Sequence, residues 1–79
     1  MNIYKLSQSI NNKYDTFDAI IVVAENEEEA KKILPHKFKV WDGYNYSDWA
    51  RPEDITVRLI GKAKKDIQKG CILASFRAG

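Results

Sequence analysis

The sequence predicts a small α+β domain, with an antiparallel sheet built from elements in the order β-β-α-β-β and one main helix on one face. Three observations predict it. Residues 16–34, TFDAIIVVAENEEEAKKIL, read as a buried strand running directly into a short helix. Alternating apolar runs at residues 3–10, 55–61 and 71–76 supply three more strands. The chain has 79 residues, which bounds it to one domain, spanning 1–79.

The first strand, IYKLSQSI, sets Tyr4, Leu6, Gln8 and Ile10 on one face and Ile3, Lys5, Ser7 and Ser9 on the other. That pattern suits an edge or half-exposed strand. Asn11, Asn12 and Lys13 are turn-like, so strands one and two form an antiparallel hairpin with a loose loop over 11–15. In the second strand, Phe17, Ala19, Ile21 and Val23 alternate with Asp18, Ile20, Val22 and Ala24. Apolar groups on both faces argue for a central strand covered on both sides. The β-branched run also disfavours helix.

The helix start is encoded at Asn26. Its side chain can accept from the Glu29 backbone N–H, and the Glu29 carboxylate can return a bond. Glu27, Glu28 and Glu29 stand at the positive end of the helix dipole, and Lys31 and Lys32 at the negative end. The acidic run is thus explained as a solvated helix end. Ala30, Ile33 and Leu34 form the buried stripe, and Pro35 stops the helix.

Residues 35–54 follow no apolar period and hold Trp41, Tyr44, Tyr46 and Trp49. An irregular segment of this length in so small a domain is functional or is ordered by its own aromatic packing. The third strand places Ile55, Val57 and Leu59 on one face. Residues 62–69 are polar, with Ala63 and Ile67 spaced for one helical turn that Gly70 closes. In the fourth strand Ile72, Ala74 and Phe76 share a face, opposite Cys71, Leu73 and Ser75.

One helix covers one face of such a sheet. Ile20, Val22, Ile60 and part of strand four then remain on the other, which predicts a homodimer or higher oligomer. The competing reading folds the aromatic segment back over that face. A domain this small is marginal alone, which also favours association.

Composition excludes several functions. One cysteine forbids an internal disulfide, and one histidine with it is too few for a one-chain zinc site. No apolar run is long enough to span a membrane, and the first residues lack a signal-peptide core, so a cytoplasmic location is expected. His36 has no dyad partner visible in the sequence, and Cys71 reads as a small buried hydrophobe. The serines lack a nucleophile elbow, and the scattered glycines make no phosphate cradle. The reading is therefore non-enzymatic, with no cofactor and no metal.

Charge is uneven. Residues 55–79 hold six basic side chains against Asp66, a net of +5, and the first 54 hold seven basic and ten acidic, a net of −3. Such asymmetry steers anions, although it equally serves solubility. The candidate site follows from it. Trp41, Tyr44, Tyr46 and Trp49 would stack on a base, while Arg51, Arg58, Lys62, Lys64, Lys65 and Arg77 would hold phosphate. The alternative makes Trp41 and Trp49 core aromatics and leaves Tyr44 and Tyr46 as the exposed pair.

Residues 14–33, YDTFDAIIVVAENEEEAKKI, the segment W…W-x-x-PEDITVRLIG and the end GCILASFRAG carry a resemblance. Together they resemble a family of small uncharacterised bacteriophage and prophage proteins with a VVAE-x-EEEA segment and a GVILASFNAG-like C-terminus. Cys71 stands where that pattern has Val, and Arg77 where it has Asn. The resemblance covers most of the chain and implies a host-cytoplasm setting but no established activity. In that setting the expected function is a phage binding protein that counters host defence. Its most concrete form is an oligomeric sponge for a phosphate-bearing nucleotide signal. The alternatives are a protein–protein inhibitor of a host defence protein, with the aromatic segment as hot spot, and a nucleic-acid-binding accessory protein. Low net charge disfavours the last.

Overall fold

Residues 2–7 and 16–24 form the central pair of strands. In the computed structural model, β1 (Asn2–Ser7) and β2 (Thr16–Ala24) pair antiparallel, with Tyr4 opposite Val22 and Leu6 opposite Ile20. The structure describes residues 1–10, 16–36, 39–43 and 48–77, with side chains described as far as residue 72. After β2 come α1 (Glu27–Lys31), a 3-10 turn at Pro52–Asp54, β3 (Thr56–Lys62) and β4 (Gly70–Arg77). All three strand pairings are antiparallel, in the spatial order β3-β1-β2-β4. A four-stranded antiparallel sheet with one short helix is an α+β architecture.

Cross-strand partners share a face, and this decides where the core lies. Tyr4 and Leu6 of β1 sit with Ile20, Val22 and Ala24 of β2 in one cluster, joined by Ala30, Ile33, Leu34, Trp49 and Ile55. Each of these is buried. Ile20 and Val22 therefore lie on the helix side, which corrects the expectation that they remain on the other. Alternation shows only that two residues share a face, not which face the helix will cover.

The sheet face away from α1 is not the bare apolar patch that was expected. Its described residues include fully buried Val23, half-buried Ile3, Ala19 and Ile21, and exposed Lys5 directly opposite exposed Arg58. β1 is also an interior strand rather than an edge, and ends at Ser7, with Gln8 buried and Ile10 exposed beyond it. Residues 11–15, the expected hairpin loop, lie outside the described residues.

The helix starts as the sequence encodes. The Glu29 backbone N–H donates to Asn26 Oδ1 at 2.9 Å. The return bond differs. The Glu29 carboxylate lies 3.5 Å from the Asn26 side-chain amide, and its other oxygen pairs with Lys69. α1 is also shorter than the buried stripe implied, since Lys32 is its C-cap. Leu34 precedes Pro35, which pushes it out of helical conformation, and Ile33 instead bridges Val40. Residues 62–69 form no helix. β3 extends through Lys62, and a single turn follows, with the Ile67 N–H donating to the Lys64 carbonyl at 3.1 Å. Gly70 opens β4 at φ +144°, a conformation that side-chain-bearing residues avoid.

Candidate binding site at the aromatic loop

The connection after α1 is tied to the C-cap of that helix at its first end and to β2 at its second. At the first end Ile33 bridges Val40, and the Trp41 N–H donates to the Lys32 carbonyl at 2.6 Å. Leu34 N–H donates to the Lys39 carbonyl at 3.0 Å, closing a short bend around Pro35 and His36. At the second end the Phe17 N–H donates to the Asp48 carbonyl at 2.8 Å, and Trp49 enters the core at 1% exposure.

A β-bulge prepares that second anchor. The β2–β4 register skips Asp18 between Phe17 and Ala19. A bulge residue shifts the alternation by one, which turns Phe17 from the Ala19 side to the core side. Phe17 packs against the core cluster there, and its ring meets the His36 ring edge-on with centroids 6.0 Å apart. Gln8 Nε2 donates to the Phe17 carbonyl at 2.7 Å. His36 Nε2 donates to Asp48 Oδ2 at 2.9 Å, both side chains being about one quarter exposed. This pair ties the two ends of the loop together across twelve residues. No spacing rule in the sequence pointed to it, because the two groups meet only through the fold.

The predicted site residues do not all gather at this loop. Trp49 is buried among core side chains and offers no ring face to a ligand, so it leaves the stacking set. Trp41 is half-buried and packs at the margin of the core. Tyr44 and Tyr46 lie outside the described residues. Arg51 is exposed and ion-paired to Glu53 at 3.1 Å, with Asp54 at 3.9 Å. Such exposed pairs are weak, about 0–1 kcal/mol, so Arg51 remains recruitable.

The predicted cations are spread over the molecule. Arg51 precedes the start of β3, while Lys62 ends it and Lys64 and Lys65 follow. At roughly 3.3 Å per residue, the length of β3 separates the two ends by about 20 Å. Arg58 lies on the sheet face away from the helix, beside Lys5. Arg77 closes β4 opposite Thr16, and its side chain is not described. One mononucleotide cannot touch all of these on one chain. The cations that flank Trp41 are instead Lys32, across the Ile33–Val40 bridge, and Lys39, two residues before it, both exposed. The sequence reading assigned Lys32 to the helix end and gave Lys39 no role. The bridge is what brings Lys32 to the tryptophan, while Lys39 is there by its place in the chain.

Among the described residues no group of histidine, cysteine or acidic side chains is arranged to hold a metal. Cys71 is a free thiol, half-buried against the core. Among the described residues no helix is long and apolar enough to cross a membrane.

Fold and loop together define a small antiparallel-sheet domain that displays a double-anchored aromatic connection. Against known proteins, the chain matches no family model, no curated protein and no solved structure.

Proposed function

We propose that this chain is a non-enzymatic binding protein of the bacteriophage kind that counters a host defence, and that it sequesters a phosphate-bearing nucleotide at the Trp41 loop. One observation carries the reading: half-buried Trp41 stands with exposed Lys32 across from it and exposed Lys39 beside it, on a connection fixed at both ends. An aromatic ring next to cations suits a base joined to a phosphate, with stacking contributing about 1–3 kcal/mol per base. Fixing the loop beforehand reduces the ordering cost of binding. Tyr44, Tyr46 and Arg51 are the next candidates for the same ligand, through their position in or just beyond the loop. The proposed setting is the host cytoplasm.

A second reading is favoured by Val40, which is 51% exposed beside Trp41. An exposed aliphatic residue next to a tryptophan suits a protein–protein hot spot. The host partner would then be a defence protein.

One experiment separates them. The purified protein is incubated with a panel of linear and cyclic nucleotides, heat-denatured, and the released molecules are analysed. The sponge reading expects an intact nucleotide, lost in Trp41→Ala and in the Lys32→Ala/Lys39→Ala double variant, and weakened by salt. A chemically altered nucleotide would overturn the non-enzymatic reading. No retained nucleotide, with a host protein co-purifying through Trp41, would establish the inhibitor instead.

A further inference from the structure

The outer edge of β3 faces solvent. Among the described residues β3 pairs with β1 and with no other strand. No residue of 56–62 makes a hydrogen bond or ion pair outside that ladder. Leu59 and Ile60, at 57% and 50% exposure, put two adjacent aliphatic side chains into water near the middle of the strand. Leu59 lies opposite Tyr4, which is 4% exposed, so the core side of the sheet runs on past its cover at this point. The two ends of the strand differ in charge. At its start Arg51 stands against Glu53 and Asp54, a net of −1. At its end Lys62, Lys64 and Lys65 stand against Asp66, a net of +2. All of these residues are exposed.

We propose that this edge pairs antiparallel with the same edge of a second copy, about a two-fold axis at Leu59, joining two four-stranded sheets into one of eight. A two-fold pairing of like edges is antiparallel, so the acidic start of each strand meets the basic end of the other. Arg51 already pairs with Glu53, but exposed pairs exchange partners at little cost. Setting Leu59 opposite Leu59 of the partner subunit places Arg58 across from Ile60 of the partner subunit and not from another cation. Cross-strand neighbours share a face, so the two Leu59 side chains cover each other. The register of β3 with β1 skips Ile60, and the axis sets the two bulges symmetrically, so both strands carry the same local twist. Lysine on an outer strand repels indiscriminate partners. Here it is answered by a strand with the reverse order of charge, which a second copy supplies. β3 has no aromatic side chain on which a base could stack, which leaves backbone pairing as the chemistry of this edge. A seam of one strand per copy is small beside the roughly 20–30 residues a side of a standard interface, so the dimer is reversible. It does not depend on what the Trp41 loop binds.

Sedimentation of the unmodified protein over a range of concentrations, with hydrogen exchange alongside, tests this. The expected result is a monomer–dimer equilibrium whose added amide protection falls on residues 56–62 and not on 70–77. Leu59→Lys should abolish the dimer with an unchanged circular dichroism spectrum, and Ile72→Lys on β4 should leave it intact. The order of charge is tested by exchange. Chains carrying Glu53→Lys with Asp54→Lys should be monomeric alone, as should chains carrying Lys64→Glu with Lys65→Glu, and an equimolar mixture should restore the dimer. A monomer at high micromolar concentration of the unmodified protein overturns the proposal. So does a dimer that survives Leu59→Lys, one whose protection falls outside 56–62, or a mixture of the two charge variants that stays monomeric.

Discussion

Trp49 and Trp41 lie eight residues apart on the same irregular connection, and the fold uses them in opposite ways. Trp49 is 1% exposed, buried beside Ile55 and the apolar face of β1 and β2. Its neighbour Asp48 is held by Phe17 through the backbone and by His36 through the side chain. Trp41 is held by a backbone bond to Lys32 and stays half-buried beside two lysines. The first is an anchor and the second is presented. An aromatic-rich loop can therefore contain both roles within a few residues. What separates them is backbone pairing to the sheet, which composition does not report.

Substitutions break this comparison in order of size. The core beneath Trp49 is the most sensitive place. Ile20→Lys or Val22→Lys puts an unpaired charge into that core and should leave the chain unfolded by circular dichroism, since such burial costs several kcal/mol. A native-like spectrum would mean these positions are not buried. Next, Trp49→Ala should cost about 3–5 kcal/mol, the usual effect of emptying a large aromatic site. Trp41→Ala should cost less than half as much in a denaturant titration, and would instead remove ligand binding. Equal losses for the two tryptophans would erase the distinction between them.

The pin between the loop ends is weaker. His36→Ala removes one hydrogen bond and one edge-on ring contact and should cost about 1 kcal/mol. Faster amide exchange at Trp49 in that variant would locate the effect at the second anchor. Asn26→Ala should destabilise by about 0.5–2 kcal/mol through loss of the cap. An unchanged melting curve would show that the Glu29 N–H finds water at no cost. The smallest change belongs to Lys69→Ala. Its partner Glu29 is more than a third exposed, so the pair contributes about 0–1 kcal/mol, falling with salt.

Much of the fold was legible where the signal is local. The β-branched run of β2 and the Asn26 cap each depend on residues within a few positions, and each stands where its chemistry puts it, whereas α1 ends at Lys31, short of the stop expected at Pro35. What could not be read depends on pairing across the chain. Ile20 and Val22 were known to share a face, but the helix chose it only through Ala30, Ile33 and Leu34. The Asp18 bulge reverses Phe17 without any glycine or proline to mark it. The cations grouped by sequence as one phosphate set are divided by the length of β3 and by the two faces of the sheet. Lys32 joined Trp41 only because Ile33 bridges Val40.

The position of β1 between β2 and β3 also governs how the chain can be made. Asn2 pairs with Ala24 on one side and with Lys62 on the other. During synthesis the β1–β2 hairpin emerges with neither flank covered, because both outer strands come from the last third of the sequence. A lone two-stranded hairpin is at best marginally stable in water. Closing the sheet must then bridge a long stretch of chain, and its entropic cost falls before the new contacts repay it. Folding is therefore a late, single event rather than a stepwise accretion, and a fragment ending after α1 should show no cooperative melting transition.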